Sequence, residues 1–106
     1  MENKNIYIEA DVYATWIEEP IYRIWINGEL ICERTFWPNP NELYIREMIS
    51  VELPTGDHHL SLEQLDLTRG RIWINELRIT DVAAKTSSVT LLSQHNGRFQ
   101  DITFQA

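Results

Sequence analysis

Residues 5–17 alternate without a break. Ile6, Ile8, Ala10, Val12, Ala14 and Trp16 share one parity, and Tyr7, Glu9, Asp11, Tyr13 and Thr15 the other. A period of two over that length predicts a long strand with one face on the core. Glu18-Glu19-Pro20 ends it, because Pro20 has no N–H for a ladder. Two runs rich in branched and aromatic residues follow, 21–27 and 29–36, joined at Asn27-Gly28. A type I′ turn needs φ > 0 at both central positions, which Asn tolerates and Gly adopts freely, so these runs are expected to form a hairpin. A two-residue loop pairs Ile26 with Glu29, Ile24 with Ile31 and Tyr22 with Glu33. The other face pairs Trp25 with Leu30, Arg23 with Cys32 and Ile21 with Arg34. Neither face is plainly polar, so the hairpin carries more apolar area than a solvent face needs.

Two prolines make residues 37–42 an extended, semi-rigid loop. In 43–53, Leu43, Ile45, Ile49, Val51 and Leu53 lie on one side with Glu47 the exception, while Tyr44, Arg46, Met48, Ser50 and Glu52 lie on the other. Strand is preferred over helix here. Pro54-Thr-Gly-Asp57 reads as a turn into a strand over 58–67 with Leu60 and Leu62 inward, a second hairpin. In the strand at 71–79 the phase slips: Ile72 and Ile74 have one parity, Leu77 and Ile79 the other. A β-bulge near Asn75-Glu76 brings all four to one face. Residues 80–88 read as a loop or a single helical turn. A final hairpin sets Val89 and Leu91 against Ile102 and Phe104 across His95-Asn96-Gly97-Arg98. The sum is an all-β chain of about eight strands, expected to form one antiparallel two-sheet β-sandwich of jelly-roll type over residues 1–106.

Composition narrows the functions. Four Trp, four Tyr and three Phe can fill a thin core. A net charge of −7 with only nine Lys and Arg argues against nucleic acid and against an anionic membrane, both of which are bound through basic residues. Cys32 has no partner for an intrachain disulfide. The N-terminal residues show no secretory or membrane-spanning pattern, and a complete product folded in the cytoplasm is expected.

No nucleophile motif and no glycine-rich phosphate loop occurs. Cys32 falls mid-strand, where a small core residue is expected. His58 and His59 point to opposite faces of a strand, so they cannot chelate together, and with His95 they read as turn residues without a role. Asp57, Asp66, Asp81 and Asp101 read as turn residues rather than a Ca²⁺ cage. No catalytic residue, metal or cofactor is expected.

One motif stands out. Arg-Ile-Trp-Ile-Asn occurs at 23–27 and again at 71–75. With the isoleucines inward, Arg23, Trp25 and Asn27 form one outward stripe and Arg71, Trp73 and Asn75 another. Either the rings are core residues of recurring strand sequences, or they are exposed platforms. An exposed indole beside Arg and Asn can anchor a protein interface or stack on a sugar, with Trp37 or Tyr44 completing the surface.

Two resemblances bear on that choice. Ile24-Trp-Ile-Asn-Gly28, Leu53-Pro-Thr-Gly-Asp-His-His-Leu60 and Arg71-Ile-Trp-Ile-Asn75 resemble the pattern of small β-sandwich carbohydrate-binding modules, which implies a sugar ligand. The acidic loop of the calcium-dependent members has no counterpart here. Asn27-Gly-Glu-Leu-Ile-Cys-Glu-Arg-Thr-Phe36, the Trp37/Pro38 loop and Val51-Glu-Leu-Pro-Thr-Gly-Asp57 with His58, His59 and Leu60 resemble small β-sandwich proteins of tailed phages of marine bacteria. That resemblance covers under half the chain. It implies a virion component assembled in the host cytoplasm, a decoration or tail-associated protein whose partner is a capsid or other virion protein, or a second copy of itself. This structural role is the expected function, with glycan binding the alternative.

Overall fold

The structure, a computed structural model, describes residues 3–38 and 41–106. Met1, Glu2 and the centre of the proline loop, Asn39-Pro40, lie outside the described residues. Eight strands form: β1 (Asn3–Trp16), β2 (Ile21–Ile26), β3 (Glu29–Thr35), β4 (Tyr44–Pro54), β5 (Asp57–Gln64), β6 (Gly70–Asp81), β7 (Thr86–Leu91) and β8 (Phe99–Gln105). They build two four-stranded antiparallel sheets, ordered β4-β1-β6-β7 and β3-β2-β5-β8. The expected two-sheet sandwich is the fold, and the strand expected over 43–53 is β4, Tyr44–Pro54.

The core lies between the sheets and follows the alternation. The first sheet contributes Ile6, Ile8, Ala10, Val12, Ile49, Ile72, Ile74, Leu77 and Ile79. Tyr22, Ile24, Ile26, Leu60, Leu62, Ile102 and Phe104 face them from the second, and Phe36 plugs one end. The phase slip in β6 is a bulge: Glu76 pairs with Asp11 and Ile74 with Val12, leaving Asn75 as the extra residue. All four branched residues of β6 reach the core because of it.

The Asn27-Gly28 turn has φ of 50° and 80°, as a type I′ turn requires. Its hairpin register slips once, however. Trp25 pairs with Leu30 as expected, but Ile24 pairs with Cys32 and Arg23 with Glu33, so Ile31 is an extra residue on β3. The bulge turns Cys32 inward and sets Arg23 Nε 2.6 Å from Glu33. Leu30 and Ile31 stay exposed.

Two expected hairpins do not form. β4 and β5 lie in different sheets, as do β7 and β8. Each joining segment crosses the sandwich, and neither Asn96 nor Gly97 has the positive φ of a hairpin turn. The second true hairpin is β6–β7, with Asp81 paired to Thr86 across residues 82–85. The loop or helical turn expected over 80–88 is thus confined to 82–85, with residues 80–81 ending β6 and 86–88 opening β7.

β7 covers only Glu76–Asp81 of β6. Beside the uncovered half, two glutamines of the second sheet take the place of a strand. Gln64 accepts from the Ile72 amide and donates to the Gly70 carbonyl. Gln100 accepts from the Ile74 amide at 2.7 Å and donates to the Ile74 carbonyl at 3.1 Å. Both glutamines are buried.

The side of the sandwich between edge strands β3 and β4 is closed by a polar group. Glu47, inward and only 4% exposed, accepts from Arg34 Nε at 2.8 Å and from the Cys32 thiol at 3.1 Å. Burial first, then the hydrogen bond to Glu47, push that thiol up to about 12, so it is protonated and inert near neutrality. Among the described residues the buried Tyr22 hydroxyl has no hydrogen-bond partner. Burial, then the charge of Glu47, push it well above the usual phenol range.

His58 is buried rather than turn-exposed. Its Nε2 donates to the Pro54 carbonyl at 2.8 Å, and Nδ1 accepts from the Asn27 side-chain amide at 3.0 Å. A carbonyl can only accept, which assigns the proton to Nε2. The histidine thereby ties the crossing after β4 to the tip of the first hairpin.

Candidate functional site

Three aromatic residues stand in a row on the outer face of the first sheet. Register makes the row: Tyr13 of β1 lies directly opposite Tyr44 on one side and Trp73 on the other. The Tyr13 and Tyr44 rings are 5.1 Å apart at 19°, and the Tyr13 and Trp73 rings 6.4 Å apart at 22°. Strands are spaced about 4.8 Å apart. Near-parallel rings that close cannot lie flat side by side, so they stand on the sheet with faces toward one another. The row therefore presents ring edges outward along an apolar ridge. All three residues are half-buried.

A charged group borders the ridge. Arg46 holds Asp11 with two hydrogen bonds, at 2.8 and 3.3 Å, and reaches Glu9 at 3.7 Å. Asp11 is 6% exposed, so the pair is largely dehydrated on its acidic side. The hydrogen bond to Asp11, then its charge, hold the Arg46 guanidinium above its ordinary value. Arg46 also lies over the Tyr44 ring at 5.8 Å. Burial, then the Asp11 charge, raise the Tyr13 phenol.

Tyr44 also borders a shallow cleft of about 390 Å³ at the β3/β4 side, lined by Arg34, Trp37, Glu42, Arg46 and Met48 among others. Trp37 is 72% exposed. It is the freest indole face among the described residues and the one suited to stacking on a flat ligand.

The sequence-predicted site residues are thus divided. Tyr44 and Trp73 share the ridge, and Trp37 borders the same cleft as Tyr44. Arg23 and Trp25 face outward from the second sheet, on the opposite side of the sandwich. There the Trp25 indole N–H donates to Glu63 at 3.1 Å, and Glu63 also holds Arg98 at 3.0 Å. Trp25 is therefore built into an ion-pair network rather than left free. Asn27 serves the turn, accepting from the His59 amide. Arg71 folds back onto the Leu67 and Gly70 carbonyls. Asn75 is the bulge residue, and its carbonyl accepts from Leu92. The two pentapeptides do not form one surface.

Residue pattern alone does not mark Tyr13, Asp11 or Arg46 as site residues. Tyr13 stood on the polar phase of β1, and only the register with β4 and β6 reveals it as the middle of the row. Among the described residues no cluster of three or more His, Cys, Asp or Glu side chains could hold a metal ion. No protein-family model, curated protein or solved structure matches the chain.

Proposed function

We propose that the chain is a non-enzymatic docking module, of the virion-accessory kind that its phage-protein resemblance implies, and that it seats on a protein surface through the outer face of the first sheet. The observation that carries this reading is the Trp73–Tyr13–Tyr44 row. Aromatic rings fixed by strand register lose little conformational freedom on binding, which suits an interface anchor. Both faces of Tyr13 and one face each of Tyr44 and Trp73 are taken up within the row, so the edges that the ridge presents fit a protein groove better than a sugar ring. The bordering Arg46, Asp11 and Glu9 supply a charged rim. Co-sedimentation with assembled phage particles tests the proposal. Trp73→Ala and Tyr44→Ala should lose co-sedimentation while keeping the wild-type circular dichroism, and Trp25→Ala, on the opposite face, should retain it. A wild-type chain that does not co-sediment overturns the virion role. Equal loss in all three variants overturns the assignment of the face.

Trp37 favours a second reading, glycan binding at the cleft. An exposed indole with Arg34, Glu42 and Tyr44 around it has the stacking face and polar groups that a saccharide needs. Oligosaccharides should then quench tryptophan emission in the wild type and not in Trp37→Ala. An unchanged wild-type spectrum across a glycan panel removes this reading.

A further inference from the structure

Among the described residues the outer edge of β4 is unpaired: β4 ends the first sheet, its only ladder partner is β1, and no other backbone group bonds to residues 44–54. Long free edges are templates for pairing, and soluble proteins usually blunt them with lysine, proline or a bulge. Between Arg46 and Glu52 this edge carries none of these. It does carry an inward charge, Glu47, a common obstacle to edge pairing. Here that charge is already met within its own protomer by Arg34 and Cys32.

We propose that β4 pairs antiparallel with β4 of a second copy of this chain, about a two-fold axis at Ile49. The register follows from complementarity. A strand that pairs with its own copy must keep inward residues opposite inward residues, which restricts the axis to positions on a residue. Centring on Ile49 sets Arg46 opposite Glu52 of the second copy, and Glu52 opposite Arg46 of the second copy. Met48 then faces Ser50, and Glu47 faces Val51. Arg46, Met48, Ser50 and Glu52 are all exposed on the outer face. Moving the axis to Met48 places Arg46 against Ser50 and Ile49 against Glu47. Moving it to Ser50 places Met48 against Glu52 and Glu47 against Leu53. Only the Ile49 axis forms two opposite-charge cross-strand pairs. The net charge of −7 opposes association overall, so the pairing draws on backbone hydrogen bonds and this local match. It joins two four-stranded sheets into one of eight. Its ladder runs along the edge rather than over the aromatic ridge, while Arg46, which already holds Asp11 within its own protomer, is shared between the rim of that ridge and the cross-strand pair.

Sedimentation equilibrium of the wild-type chain, with two variants, tests the pairing. The wild type should show a concentration-dependent species of twice the 12.5 kDa chain mass. Glu52→Arg opposes arginine to arginine twice and should weaken dimerisation by about tenfold or more, a change of about 1.4 kcal/mol. Met48→Cys/Ser50→Cys should cross-link into a covalent dimer on oxidation. The two sulfurs of one strand, about 7 Å apart at the backbone, are too distant to bridge each other. A wild type that remains monomeric at every concentration overturns the proposal. So does a dimer indifferent to Glu52→Arg, or one that the cysteine pair fails to trap.

Discussion

Gln100 hydrogen-bonds both the amide and the carbonyl of Ile74, from one sheet to the other. A side-chain amide sets an N–H donor beside a carbonyl acceptor in one plane, which is what an adjacent strand would present. The contact satisfies β6 where β7 does not reach, and it pins the two sheets at that point. Gln100→Ala should therefore destabilise the chain by about 1–3 kcal/mol for each backbone group left dry. Gln100→Leu should be no better, because filling the volume does not restore the bonds. Urea unfolding of the three proteins checks this.

Alkaline pH should unfold the chain by a route that runs through Cys32 and Tyr22. The Cys32 thiol ordinarily ionises near 9.0 and is pushed up to about 12 in the fold. Between those values the folded chain keeps a proton that the unfolded chain has released, so stability falls as pH rises. The contribution is complete below pH 9 and is lost toward pH 12. Tyr22, raised above its ordinary 10.0, acts with the same sign. Cys32→Ala should flatten the loss of stability above pH 9, and Tyr22→Phe should flatten it further at higher pH. At neutral pH Tyr22→Phe should cost little, since the buried hydroxyl it removes has no partner within hydrogen-bond geometry among the described residues and lies close to the Glu47 carboxylate. Denaturant midpoints measured across that range decide both points.

Gly70 and Gly28 both have positive φ, yet alanine should affect them differently. A Cβ at Gly70, where φ is 148°, would come within 2.2 Å of the Thr15 carbonyl oxygen and 2.7 Å of Trp16 Cα. Neither backbone atom can move without parting β6 from β1. At Gly28, where φ is 80°, nothing lies within 4 Å of the same atom. Gly28→Ala should cost about 1 kcal/mol, the conformational term alone. Gly70→Ala should cost more than about 3 kcal/mol. Thermal melts compare them directly.

The Arg34–Glu47 pair should respond unequally to loss of either partner. Arg34 is half-exposed and rehydrates if left alone, whereas Glu47 is buried and does not. Arg34→Ala should therefore destabilise by about 1–3 kcal/mol, and Glu47→Leu by less, because it restores the apolar alternation of β4. Equal melting temperatures for the two variants would contradict this asymmetry.

Local pattern carried much of the fold. The alternation of β1, the Asn27-Gly28 turn and the bulge at Asn75 all follow from short-range rules, because side-chain parity and positive φ are properties of a few consecutive residues. The choice of sheet is not such a property. Pro54-Thr-Gly-Asp57 and Asn96-Gly97 contain turn residues, but whether a turn folds back or crosses over depends on which sheet offers a free neighbour. Glu47, Gln64 and Gln100 broke the apolar pattern without announcing why, since their partners are distant in sequence. The site was half legible for the same reason. Parity placed Trp25 and Trp73 outward, and only the sheet order set them on opposite sides and gave Trp73 its neighbours Tyr13 and Tyr44.

The strand order also bears on how the chain comes off the ribosome. β1 is the first of the eight strands to be synthesised and is central in its sheet, yet its neighbours are β4, beginning at Tyr44, and β6, beginning at Gly70. In the second sheet β2 gains β3 at once, but β5 is flanked on both sides only when β8, the last of the eight strands, has emerged. Most ladders thus close long segments, a topology that slows folding. The apolar stripe of β1 is exposed throughout synthesis of the first half of the chain. A nascent-chain binding factor that shields Ile6, Ile8 and Val12 should raise the yield of folded protein more than one acting after release.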